Sequence, residues 1–268
     1  MSYSSQEFVI PLLKLKSIPH LPESFKVTQK HYMLKPIQPS IDFKLWLPLL
    51  LVAPASSLGM LAIKLLPGMI GSSIFVACSL WMHSLPLIWT LLVDRQPLHF
   101  TPPKKRDWLV GICLGMLLAG TILGLYGVAS HWIDLTDVRD RVVSKVGELS
   151  LPTFLAGAMF IVLINTLLEE YVWRWFVFRK CAAWQPGILA IALSALFFTS
   201  HHVIELATYF NDGRVVLLGS LAVFAAGMIW SRCYQVYRSI WIGYISHALA
   251  SAAIVTVAWH LLFSNRVL

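Results

Sequence analysis

The sequence predicts an all-α fold, a polytopic bundle of about seven transmembrane helices (six to eight) with a polar site inside it. Three observations predict this. Of 268 residues, 57% are hydrophobic and 13% charged, about half the charged fraction of a soluble domain. Apolar runs recur at the ~20 residues that a bilayer core requires. The 11 Trp and 8 Tyr are plentiful, as expected where amphipathic rings sit at headgroup level. The length alone would suit one or two soluble domains, but the apolar runs decide for the membrane.

Residues 1–44 are dotted with Pro and Lys and hold no long apolar core, so they read as a cytoplasmic N-terminal arm and not as a signal peptide. A transmembrane domain over 45–268 follows. Its first two runs are Leu45–Ile63 and Met69–Val93, where Pro48, Pro54, Pro67 and Pro86 break or kink the pair. The third is Trp108–Ser130. Asp134–Leu149 differs: Leu135, Val138, Val142, Val146 and Leu149 fall at helical spacing, and Asp134 is placed to cap the start. That is the pattern of an amphipathic helix in the outer interface, either padding or a lid at a substrate entrance. Pro152–Phe178, Gly187–Leu206, a short Val215–Trp230, and Ile240–Phe263, interrupted by Gly243, complete the seven.

Charge sets the orientation. Of the 21 Lys and Arg, with the N-terminus inside, only Lys64, Arg139, Arg141, Lys145, Arg214 and Arg266 fall outside. Arg174 lies within a span and all the rest lie inside, as the positive-inside rule requires. The net charge of +8 therefore reflects loops near anionic lipid. The bilayer is the expected partner, and no nucleic-acid patch is present. Cys78, Cys113, Cys181 and Cys233 lack metal or redox spacing and read as reduced thiols. No internal repeat or low-complexity tract appears, and the final residues SNRVL are not a prenylation signal.

Within the fourth run, NTLLEEYVWRWFVFRK places Glu169, Glu170 and Arg174 in an apolar span. Each charge near the midplane costs roughly 2.5–3.5 kcal/mol on insertion scales. On a helix, Glu170 and Arg174 are about 40° apart and can pair, whereas Glu169 is about 100° from Glu170. Glu169 shares its face with Asn165 and Thr166. The geometry suggests a structural pair, Glu170–Arg174, and a carboxylate left for other work. His201 and His202 in the next span, and His247 with Ser251 one turn later in the last, are the candidate partners. Glu205 lies near His202, toward the aqueous end. Singly, each histidine suits packing or capping; together, three spans each carrying a costly group point to one buried site. A buried carboxylate beside imidazoles suits general-base chemistry on water. Donors such as His247 and Ser251 suit a developing oxyanion. Those parts suffice to hydrolyse an amide without a covalent intermediate.

These residues resemble a known family. EEYVWR fits the EExxxR motif of the CAAX-type intramembrane endopeptidases, the CPBP or ABI family of glutamic membrane proteases. FTSHH, Phe198 to His202, fits its FxxxH motif. Phe197 to His201 fits by spacing too, but Ser194, Phe198 and His202 match the small–Phe–His pattern at four-residue intervals. HALAS, His247 to Ser251, fits the third motif, although Ser251 stands where Asn is common and its hydroxyl is shorter than an amide. The motifs fall in order over residues 152–263. The resemblance implies that Glu169 activates water with His202, that His247 and residue 251 stabilise the oxyanion, and that Glu170 and Arg174 support the site. It also implies Phe198, His201 and Asn165 as supporting positions, no cofactor, and a membrane-associated peptide or protein substrate, lipidated or not. In the best-known case the family removes three residues after a prenylated cysteine. Other relatives serve bacteriocin immunity or surface-protein maturation.

Two other readings stand beside it. Glu169, His202 and His247 offer zinc ligands for a metal-dependent membrane protease, although no HExxH or HxxEH pairing is present. The same fold also suits a non-catalytic scaffold or immunity-type protein. A transporter would predict repeat symmetry. The expected location is a prokaryotic plasma membrane.

Overall fold

Backbone polar groups have no partner in hydrocarbon, so a chain this apolar must close its hydrogen bonds within helices. The computed structural model describes residues 43–263 apart from 67, 99 and 100. The N-terminal arm expected over 1–44 lies, but for its last two residues, outside the described residues. Eight helices follow in order: α1 Phe43–Leu65, α2 Gly68–Val93, α3 Lys105–Ala129, α4 Leu135–Val146, α5 Leu151–Trp184, α6 Ile188–Tyr209, α7 Gly213–Tyr237 and α8 Trp241–Phe263. No strand occurs among the described residues. All but α4 are long and apolar enough to cross a bilayer, so seven spans stand as predicted, and the protein is an integral membrane protein.

Several boundaries differ from expectation for physical reasons. Pro48 and Pro54 lie inside α1 without ending it; in lipid an interrupted helix would strand backbone groups, so the helix continues across both. Three residues beyond Pro86, the hydrogen bonding of α2 widens to i→i+5 over Trp89–Val93. The short run at Val215–Trp230 is the middle of a 25-residue helix. It starts earlier because Asp212 accepts from the Arg214 backbone N–H at 2.8 Å, and the Arg214 side chain holds the Asp212 carboxyl down at about 2. Asp134 caps α4 as predicted, accepting from the Thr136 and Asp137 N–H groups. Gly147, at φ 76°, ends α4, so Leu149 lies beyond the helix and not on its apolar face. Val138 is buried and Lys145 Nζ donates to the Lys64 carbonyl at 3.2 Å, which ties α4 to the end of α1.

The packing centres on α5. Its second half is enclosed by α1, α2, α6 and α7, and every residue from Tyr171 to Phe178 is buried. The hydrogen bonding of α5 widens to i→i+5 over Phe160–Asn165 and again over Tyr171–Phe178, a pattern frequent at functional sites. On the flank, α3 and α8 pack through a small-residue seam absent from the sequence reading. A Cβ on Gly111 would lie 2.8 Å from Ile245 Cβ, and one on Gly115 would lie 2.6 Å from Leu249 Cδ1 and 2.9 Å from the Ser246 Cα. GICLG is thus a GxxxG contact that lets two backbones approach.

Gly115→Val should destabilise the folded protein by roughly 1–3 kcal/mol, the usual cost of overpacking. Gly124→Val on the same helix, where an added Cβ meets nothing within 4 Å, should change little. Unfolding of the two variants in detergent micelles compares them directly.

Candidate active site

Arg174 is 1% and Glu170 0% exposed, and their charged atoms Nη1 and Oε1 are 3.3 Å apart. The predicted structural pair therefore forms. Around it the bundle is cut to fit. The guanidinium lies over the rings of Phe198 at 4.5 Å and Trp230 at 5.0 Å, so cation–π contact supplements the ion pair. On the other side stands Gly243, where any added Cβ would meet the Glu170 carboxylate. Gly243 does not interrupt α8; it is the gap through which α5 inserts its carboxylate.

His247, on α8, links the two acids. Its Nδ1 is 3.1 Å from Glu170 Oε1 and its Nε2 is 3.5 Å from Glu169 Oε2. A carboxylate can only accept, so Nδ1 carries the hydrogen and Nε2 faces Glu169. Trp230 stacks on the imidazole at 4.2 Å and is itself held by donating from Nε1 to Ser246 Oγ at 2.9 Å. Glu169 also accepts from Asn165 Nδ2 at 3.0 Å, as their shared face predicts.

The fifth span brings both candidate histidines to Glu169. One ligand-type atom from each of Glu169, His201 and His202 lies within 4.8 Å of the others. His201 is buried and stacks on Trp173, with ring centroids 5.5 Å apart and planes within 12°. His202 is half-buried; its Nδ1 is 2.9 Å from Glu205 Oε2, which places a hydrogen on Nδ1, and its Nε2 is buried without a hydrogen-bond partner. Phe198 is 2% exposed and makes ring contacts with His201, His202, His247, Trp173 and Trp230. Four residues before His202, its ring thus joins three histidines and two tryptophans. Ser194, one turn earlier, donates to the Trp173 carbonyl at 3.1 Å and so ties α6 to the widened part of α5.

Two placements differ from expectation. Thr166 does not join Glu169. Its Oγ1 donates to the Ile161 carbonyl at 2.9 Å and lies 3.4 Å from Ser251 Oγ. Ser251 therefore sits beside Thr166, and no hydrogen bond joins it to Glu169 or His247 among the described residues. Sequence reasoning also missed His83 on α2. Its Nδ1 is 2.6 Å from the Ser79 carbonyl, its Nε2 is buried without a hydrogen-bond partner, and it lies within electrostatic reach of Glu169. Tyr171 donates to the His83 carbonyl at 3.3 Å, joining α2 to α5 beside the site. A lone histidine in an apolar span with no motif around it gave no signal beyond its cost in the membrane.

Fold and site together define an integral membrane protein whose helical bundle buries a carboxylate–imidazole centre. Residues 151–253 match the family model described as Type II CAAX prenyl endopeptidase Rce1-like. The matched segment takes in Glu169, Glu170, Arg174, Phe198, His202, His247 and Ser251, and over it the resemblance to the CAAX-type family read from the three motifs holds. His83 lies outside it. No curated protein and no solved structure matches the chain.

The ion pair sets a stability test. Arg174→Met leaves a buried carboxylate without its cation and should cost roughly 3–5 kcal/mol. Adding Glu170→Leu to that variant removes the stranded charge and should recover part of the loss. Thermal unfolding of both in detergent decides it: a double variant no more stable than the single would show that the two charges do not depend on each other.

Proposed function

We propose that the protein is an intramembrane endopeptidase that hydrolyses a peptide bond of a membrane-associated substrate, with Glu169 as the base that activates water. The observation that supports this most strongly is the convergence of Glu169 with His201 and His202 from α6 and His247 from α8. In this reading a water sits between the Glu169 carboxylate and His202 Nε2, whose lone pair Glu205 orients by holding the hydrogen on Nδ1. Glu169 takes one proton as the water oxygen bonds to the substrate carbonyl carbon. The carbonyl electron pair moves onto oxygen, where His247 donates from Nε2. The C–N bond then breaks, and the proton held by Glu169 passes to the leaving nitrogen, giving a new carboxylic acid and a new amine, between which the remaining water proton passes to leave carboxylate and ammonium. Glu170 and Arg174 hold His247 and take no proton. Ser251, turned toward Thr166, contributes to the oxyanion site through a water. In the same reading His83, within electrostatic reach of Glu169, helps to position the water that Glu169 activates.

The family description favours a prenylated protein as the substrate class, and the bilayer offers the route by which such a protein would arrive. A second reading is favoured by one observation. Ligand atoms of Glu169, His201 and His202 within 4.8 Å of one another have the compactness that a zinc site needs.

Glu169→Gln keeps the size of the side chain and removes the base, so turnover should fall by roughly 10²–10⁴-fold while the protein stays folded and inserted. Cells carrying either form at matched expression are compared by mass spectrometry of membrane-protein termini, and purified protein is then tested on the precursors that accumulate. Unchanged termini would leave the non-catalytic scaffold. Stoichiometric zinc together with loss of cleavage in a chelator would transfer Glu169 from base to ligand. His83→Asn should lower turnover by about tenfold, the share of a positioning group beside an intact base, and leave substrate affinity unchanged.

A further inference from the structure

A second polar constellation lies at the other end of the buried half of α5. A cavity of about 370 Å³ opens there, lined by Gln96, Thr101, Trp175, Arg179, Tyr234 and Arg238, with Pro97 and Ile240 at its apolar edge. Its walls come from the end of α2, the approach to α3, the end of α5, the end of α7 and the approach to α8. It therefore sits where spans meet the headgroup layer and not in the hydrocarbon interior.

Its chemistry is one-sided. Two arginines line it, and no Asp or Glu lines it among the described residues. The nearby acids are already engaged. Asp94 is paired with Lys180 at 2.7 Å, and the buried Asp107 accepts from the Lys104 N–H at 3.1 Å and from Ser239 Oγ at 2.9 Å. Arg179 rests over the Trp175 ring at 5.3 Å and reaches Gln96 Oε1 only at 3.4 Å. Arg238 ends α7 as its left-handed cap, φ 54°, its N–H donating to the Tyr234 carbonyl at 2.9 Å, so the helix end fixes where its side chain starts. Lys104, Lys105, Arg106 and Lys180 crowd the same end of the bundle, which gives it a strongly positive field.

We propose that this cavity binds the phosphate of an anionic headgroup, with Arg179 and Arg238 as a two-pronged clamp, Tyr234 and Thr101 as neutral donors, and Trp175 and Ile240 against the glycerol region. Paired guanidinium groups match phosphate oxygens in geometry and charge. Two sources share that chemistry, a phosphatidylglycerol-type lipid and free phosphate. The apolar edge beside the exposed guanidinium groups favours the lipid. The inference is independent of the proteolytic reading, because binding is measured without turnover.

The test uses full-length purified protein in detergent, with lipid binding read by native mass spectrometry. The probes are palmitoyl-oleoyl phosphatidylglycerol and the matching phosphatidylcholine, each with and without millimolar inorganic phosphate. Wild type should prefer phosphatidylglycerol by roughly tenfold or more, the size expected from charge-assisted hydrogen bonds. Arg179→Gln and Arg238→Gly should each remove most of that preference. The glycine keeps the left-handed backbone while deleting the guanidinium, so it separates loss of the ligand from misfolding. Lys105→Gln removes one exposed charge from the same end outside the cavity and should bind as wild type does. Competition by inorganic phosphate would assign recognition to the phosphate alone, and its absence would assign it to the whole headgroup. Equal binding of the two lipids, or an equal loss in Lys105→Gln, would overturn the proposal in favour of a diffuse surface charge.

Discussion

The buried ion pair between Glu170 and Arg174 is the constraint on which the rest of the bundle depends. Neither charge survives in hydrocarbon alone, and the pair is tolerable only where further groups answer its remaining valences. The structure answers them with whole helices. α6 contributes Phe198 and α7 contributes Trp230 as π faces over the guanidinium. α8 contributes a glycine where the carboxylate needs room and a histidine where it needs a donor. Three helices are thereby fixed in rotation and depth against α5. The imidazole of His247 is among the things fixed, and its second nitrogen is aimed at Glu169 as a consequence.

That arrangement also sets the two carboxylates apart. In the proposed reaction Glu169 faces the water as base and His247 Nε2 faces the oxyanion, and both are held by one network anchored on Glu170 and Arg174. Glu170 cannot exchange roles with Glu169, because its carboxylate is sealed while Glu169 keeps 12% side-chain exposure.

Much of this was legible in the sequence, and the failures share a cause. Hydropathy gave seven spans because length and composition alone set them. Spacing gave the Glu170–Arg174 pair and the Asn165–Glu169 contact because each joins residues four apart. The same 3.6-residue arithmetic placed Thr166 with Glu169, and there it failed. α5 widens over Phe160–Asn165, and the Thr166 hydroxyl turns back to the Ile161 carbonyl, which also accepts the Thr166 N–H in the widened ladder. Gly243 was misread because a glycine in an apolar run looks like an interruption until the carboxylate opposite it is known. The α3–α8 seam and His83 depend on pairings between distant helices, which no local pattern carries.

The two halves of α5 finally explain where chemistry sits along it. Before the site, Leu155, Met159, Phe160, Ile161, Leu163 and Ile164 are exposed, as suits a face turned to lipid. After it, Tyr171–Phe178 is buried on every side. Glu169 stands at the boundary between the two. The lipid-facing positions upstream of it offer a carboxylate no partner, and a carboxylate within Tyr171–Phe178 would be enclosed on every side. At the boundary it is held by the packed half and approached from the open half. On the proposed function, a peptide segment that arrives through the bilayer along the exposed face of α5 meets Glu169 before the sealed pair behind it.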